Sequence, residues 1–193
     1  MFHHCHNSSG LRLLNVAFVS LFLIFSAIPH ASAQNTALDG LFLQLQDDDQ
    51  EADLEAIEQD IWQEWRKSGS DAVDFLLERG MAAMQEGQMR QAISHFTTVI
   101  EQAPEFAEGY NMRATAYFMM NQYGLSVADI ERTLALEPRH FGALGGLGMI
   151  MERTDRPKQA LFAYEKLLEV HPKSPQAKDA VERLKDALEG TAL

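Results

Sequence analysis

Cysteine is all but missing from this sequence. The one thiol among 193 residues is Cys5, so the chain can build neither a disulfide framework nor a cysteine-ligated metal site. A chain without thiols suits an oxidising compartment, although that alone does not place it there. Positive charge is also scarce: 16 Lys and Arg stand against 28 Asp and Glu, a formal net charge of -12. That balance argues against nucleic-acid binding, which needs clustered Lys and Arg to neutralise phosphates, and against docking on anionic lipid. Catalytic signatures are missing too. There is no Gly-x-Ser-x-Gly elbow. His95, His140 and His171 lie far apart, with no His-x-x-x-His ligand spacing. Acids along the central region alternate with bases, as they do on solvated helix faces. No catalytic residue, cofactor or metal site is therefore assigned, and nucleic acid is not an expected partner.

Only one long apolar run is present. Residues 13–28, LLNVAFVSLFLIFSAI, follow Arg12 and precede Pro29 and the small-x-small triplet Ala31-Ser32-Ala33. This is the layout of a secretory signal peptide over residues 1–33, with cleavage after Ala33 leaving Gln34 as the new amino terminus. The alternative is a retained membrane anchor, for which the run falls short of the roughly 20 residues a span needs. No cysteine sits at the cleavage position, which excludes a lipoprotein. His3, His4, Cys5 and His6 precede the run and would leave with it. The expectation is an exported protein of the periplasm of a Gram-negative bacterium, without a membrane segment after cleavage.

What the sequence does contain is a period. Pro104, Pro138 and Pro172 are spaced by 34 residues, and other positions fall into register with them. Twelve residues before each proline stand Ala92, Ser126 and Ala160, all small. Eight before stand Phe96, Ile130 and Tyr164, all bulky. Twenty-four before stand Gly80, Ala114 and Gly148, small again. Each unit reads as two helices of about a dozen residues joined by a tight turn near Gly87, Asn121 or Asp155, residue types that tolerate turn backbones. Pro157 suits the first turn of a helix, where its missing N–H costs nothing. One such pair cannot bury its apolar face alone, so the pairs must stack.

The spacing and residues resemble the tetratricopeptide repeat family over about residues 73–174. The resemblance implies an all-α fold, a right-handed α-solenoid of three helix pairs at about 73–106, 107–140 and 141–174. Arg79 and Arg113 stand where a Trp or Leu is common, and Arg113 is placed to pair with Asp129. Residues 175–190 read as a C-terminal capping helix, with Ser174 at its start, Pro175 in its first turn and Gly190 at its end. Its apolar stripe is Ala177, Val181, Leu184 and Leu188. Residues 34–70 read as an acidic N-terminal helix pair without the repeat signature. Leu38, Leu41, Phe42 and Leu45 form one stripe, and Leu54, Ile57, Ile61 and Trp65 the other. Asp47-Asp48-Asp49 is expected to cap the second helix. Trp65 belongs to the core, whereas Trp62 sits beside the stripe as a candidate contact residue.

The resemblance also implies a concave groove, lined by the first helix of each pair, that holds a segment of a partner protein. The groove positions are Asp74, Leu77, Met81 and Met84 in the first unit; Glu108, Asn111, Thr115, Phe118 and Met119 in the second; and Gly142, Gly145, Met149 and Glu152 in the third. A carboxylate clamp of Lys, Arg and Asn, one mode of the family, is not formed here: only Asn111 fits it. Methionine concentrates in these first helices, which suits a wall that adapts to its partner, although a stripe at helical spacing also suits core, as at Met112 and Met151. Gly145 and Gly146 answer to no packing rule. The expected function is a protein-binding scaffold, with a holdase-like chaperone or a membrane-anchored scaffold as alternatives. All of them require an inner wall that the chain itself leaves free.

Overall fold

A computed structural model describes residues 30–47 and 53–190. The apolar run and most of the leader lie outside these residues. The cleavage positions Ala31, Ala33 and Gln34 fall in the first turns of the first helix. The described chain is all helical: α1 (His30–Gln46), α2 (Leu54–Trp65), α3 (Asp71–Gln85), α4 (Met89–Gln102), α5 (Ala107–Met119), α6 (Tyr123–Leu136), α7 (Phe141–Arg153), α8 (Pro157–Val170) and α9 (Pro175–Gly190). From α3 onward each helix packs against the next, and α3–α4, α5–α6 and α7–α8 form the three repeat units, repeats 1 to 3. No described helix is long and apolar enough to cross a membrane.

The turn within each pair is built alike three times. Gly87 (φ 75°), Asn121 (φ 58°) and Asp155 (φ 56°) occupy the left-handed region at the same place in the period. Glycine reaches that region freely, and Asn and Asp are the side-chain-bearing residues most at ease there. The next residue in each case donates its N–H back to the first helix. Gln88 donates to Ala83 at 2.8 Å, Gln122 to Tyr117 at 2.9 Å and Arg156 to Met151 at 2.8 Å. These bonds satisfy carbonyls that would otherwise be orphaned at a helix end.

The small and bulky positions meet as their register implies. A Cβ on Gly80 would overlap the Phe96 ring, and one on Gly148 would overlap the Tyr164 ring. Glycine is therefore what lets each ring lie flat against the opposite backbone. In the middle pair Ser126 instead donates its hydroxyl to the Ala114 carbonyl at 2.8 Å. Arg113 forms a fork to Asp129, with Nε and Nη2 each 2.8 Å from a carboxylate oxygen, and reaches Thr97 of repeat 1 at 3.1 Å. One guanidinium thus ties both helices of repeat 2 to the pair before it. At the other end, Ala177, Ala180 and Leu184 of α9 are buried against α8 while its charged face stays in solvent.

One expectation for the amino-terminal pair needs correction. The N-cap of α2 is Asp53, whose carboxylate accepts from the N–H groups of Glu55 and Ala56, and not the Asp47-Asp48-Asp49 run. Asp48 and Asp49 lie outside the described residues. The α1–α2 hairpin packs against the last repeat and the capping helix, not against repeat 1. Its buried residues Leu38, Phe42, Leu45, Ile57, Ile61 and Trp65 join the core of α7, α8 and α9, while the repeat 1 core around Val73, Leu77 and Phe96 contains none of them. The physical reason is visible in the side chains. The hairpin's large rings find a matching partner in Phe141, which lies 6.5 Å from Phe42 and 5.3 Å from Trp62, centroid to centroid.

Candidate partner-binding groove

The first helices α3, α5 and α7 line the inner wall, and α2 packs at the amino-terminal end of α7. Glu58 pairs with His171 at 2.7 Å. Trp62 covers Gly142, where a Cβ would overlap the indole. Trp65 stacks on the His140 ring, with centroids 4.0 Å apart and planes within 9°. Ser68, just past α2, donates its N–H to Asp74 at 2.8 Å. α1 braces this arrangement from outside. Asp39 accepts from Arg139 at 2.6 Å, and Lys173 donates to the Asp47 carbonyl at 2.6 Å. The chain therefore fills one end of its own inner wall.

Under α2 lies a buried polar cluster. His140 caps α7, its Nδ1 accepting from the Ala143 N–H at 3.1 Å. That bond assigns the ring proton to Nε2, which then donates to Glu108 at 3.0 Å. Asn111 donates to the same carboxylate oxygen at 3.0 Å. Glu108, Asn111 and His140 are 1%, 5% and 0% exposed, so none of them can meet a partner while α2 is in place. Sequence reasoning passed over both histidines. A signal was available for His140: it stands 34 residues before Ser174, which caps α9 in the same way, accepting from the Ala177 N–H at 3.4 Å.

The groove positions divide accordingly. Leu77 and Gly145 are buried in repeat packing, and Asp74, Glu108, Asn111 and Gly142 are engaged at the end that α2 covers. Met81, Met84, Thr115, Phe118, Met149 and Glu152 remain half-buried, and Met119 is exposed. Met112 packs half-buried against the repeat 1 core, and Met151 is buried. Beyond α2 the wall opens into a cleft between α5 and α7, with about 360 Å³ of empty space open to solvent. Thr115, Phe118, Gly146 and Met149 line it, with Ser126 and Ile130 at its floor. A Cβ on Gly146 would meet only Ile130, at 3.6 Å, an ordinary contact. Packing therefore does not demand this glycine, and its effect is to keep the cleft open.

Charge closes the far rim. Arg183 of α9 donates to Glu152 at 2.6 Å and Tyr164 donates to the same residue at 2.9 Å. The Arg183 bond, reinforced by that of Tyr164, holds the Glu152 carboxyl below its ordinary range. Burial, with Glu152 as acceptor, pushes the Tyr164 hydroxyl well above its own. Arg153 stands over the Phe118 ring, 4.9 Å from its centroid. Among the described residues, no group of acids, histidines and cysteines is arranged to hold a metal ion.

The profile of the tetratricopeptide repeat family matches residues 77–123 and 111–178, just over half of the chain. The chain belongs to the tetratricopeptide repeat family. A TPR repeat-containing protein of Rhizobium etli is 34% identical over 160 residues, covering 83% of this chain and 78% of that protein. The small glutamine-rich tetratricopeptide repeat-containing protein 2 of Saccharomyces cerevisiae is 29% identical over 61% of this chain, which spans 34% of the yeast protein. Among solved structures, the Sgt2 TPR domain of Aspergillus fumigatus superposes with a TM-score of 0.59 at 27% identity, covering 64% of this chain and 83% of that one. The first TPR domain of Spaghetti (RPAP3), solved with an Hsp90 peptide, has a TM-score of 0.58 at 23% identity, covering 61% and 93%. At that identity the likeness shows the fold alone.

Proposed function

We propose that this tetratricopeptide repeat protein is a non-enzymatic scaffold, exported to the periplasm, that holds a segment of a partner protein in the groove beside α2. The observation that carries the reading is the α5–α7 cleft, kept open by Gly146, which no packing contact requires. Its lining of Phe118, Met149 and Ile130, with the half-buried Thr115 at its edge, suits an apolar side chain anchored by a polar contact. The half-buried Met81, Met84 and Met149 give the wall adaptable apolar contacts. Peptide binding by the Spaghetti domain and by the yeast Sti1 TPR2B domain, solved as a complex with Hsp70, supports the mode without naming this partner. Export rests on the leader at residues 1–33, and the mass of the native protein tests it: cleavage leaves residues 34–193.

The binding claim is tested by affinity purification of wild type beside Gly146→Trp, which fills the cleft, and Phe162→Asp, which alters the exposed ring on α8. A partner retained by wild type and Phe162→Asp but lost by Gly146→Trp supports the groove. Identical partner sets for all three remove it. Broad suppression of aggregation across unrelated clients, without one stable partner, would favour the holdase reading that the methionines also permit.

A further inference from the structure

The segment that fills the groove's end also describes what that end accepts. α2 has the sequence LEAIEQDIWQEW, with four acids and no base. It meets a rim formed by His140, Phe141, Gly142 and His171. Its acid at residue 58 meets His171, and its rings at residues 62 and 65 meet Gly142 and His140. The rim thus reads a helix with two aromatics three residues apart and a carboxylate four residues ahead of the first, all on one helical face.

The fit is incomplete in one respect. Among the described residues, four buried side-chain polar atoms lack any hydrogen-bond partner, and three of them sit at this seam: Trp65 Nε1, Glu108 Oε1 and His171 Nδ1. Each buried, unpaired polar group weighs against the arrangement that buries it. The apolar and ionic contacts of the hairpin are therefore partly offset where it meets the wall. At its end, Ser68-Gly69-Ser70 supplies a short joint, with Gly69 at φ 84°. These features describe an occupant that is seated but replaceable.

We propose that this end of the groove recognises an acidic amphipathic helix carrying paired aromatic residues. α2 is the resident copy of that ligand, and a partner helix of the same chemistry takes its place. The inference rests on the groove-binding function proposed above and names the chemical class of its partner.

The probe is a fluorescent peptide of residues 53–68, titrated by anisotropy into the full chain. Against wild type it competes with α2 and binds weakly. Against Trp62→Ala/Trp65→Ala, whose own helix has lost its anchors, it binds about tenfold tighter or more, because the competent open state is more populated. The same peptide with both tryptophans changed to alanine does not bind. Gly142→Leu evicts α2, so the emission of Trp62 and Trp65 moves to the red, and it refuses the peptide because the Trp62 seat is blocked. Should the double variant fail to keep its helical circular dichroism, Glu58→Lys replaces it, with a smaller gain expected. Equal binding by wild type and the loosened variant, or binding by neither, overturns the proposal. Loss of partner capture in Gly146→Trp with no peptide binding at all would leave the scaffold function standing and remove only this inference.

Discussion

Arg113 ties repeat 2 to repeat 1. It forks onto Asp129, which is 6% exposed, and holds Thr97 in the preceding pair. Asp129 holds the guanidinium in its charged form. Removing it in Arg113→Ala leaves a buried carboxylate without its cation, at a cost of about 2–3 kcal/mol. Arg113→Lys recovers little of this, because an ammonium cannot supply the two parallel bonds. Urea unfolding at pH 7 checks both, with the midpoint expected to fall and the slope to stay unchanged. The pairing was legible in the sequence, since the repeat register places Arg113 beside Asp129. The pairings of His140 and His171 are not legible there, because their partners Glu108 and Glu58 lie 32 and 113 residues away, and only the capping role of His140 is marked, by its register with Ser174.

At the scale of the element, α7 shows how one helix serves three demands. Gly148 admits Tyr164, Gly142 admits Trp62, and Gly146 admits nothing from within the described chain. Gly146→Ala should therefore raise stability by about 0.5–1 kcal/mol, the ordinary gain from removing a glycine inside a helix. Gly142→Ala should lower it, through overlap with the Trp62 ring. Thermal unfolding of the two variants separates the cases, and a destabilised Gly146→Ala would contradict the cleft as described. The α7–α9 contact carries a pH signature. Arg183, helped by Tyr164, depresses the Glu152 carboxyl. A carboxyl depressed on folding contributes stability above its unfolded value, and this is lost as pH falls through the folded one. Stability between pH 7 and pH 3 should thus fall less in Arg183→Gln than in wild type, as read by urea midpoints at each pH. Helix positions followed from periodicity, and the left-handed turn residues from the register. The seat of the α1–α2 hairpin did not. Amphipathic stripes show that a helix pair must bury a face, but not which neighbour it buries it against, and here paired rings chose Phe141 over repeat 1.

Across the whole molecule, three stacked pairs form an inner wall that is half covered by the chain's own second helix and half open beside it. The fold class, the period and the capping helix α9 could all be read from residues 34 apart. The division of the wall could not, because it depends on contacts between α2 and α7 that no repeat encodes. The direct measurement is site-specific photo-cross-linking in living cells, with the reactive group placed at Met149 on the open wall or at Phe162 on the exposed face of α8. The account predicts one dominant protein adduct from position 149, weakened when Gly146 is also changed to Trp, and none from position 162. Equal adducts from both positions, or adducts from the α8 face alone, would contradict it.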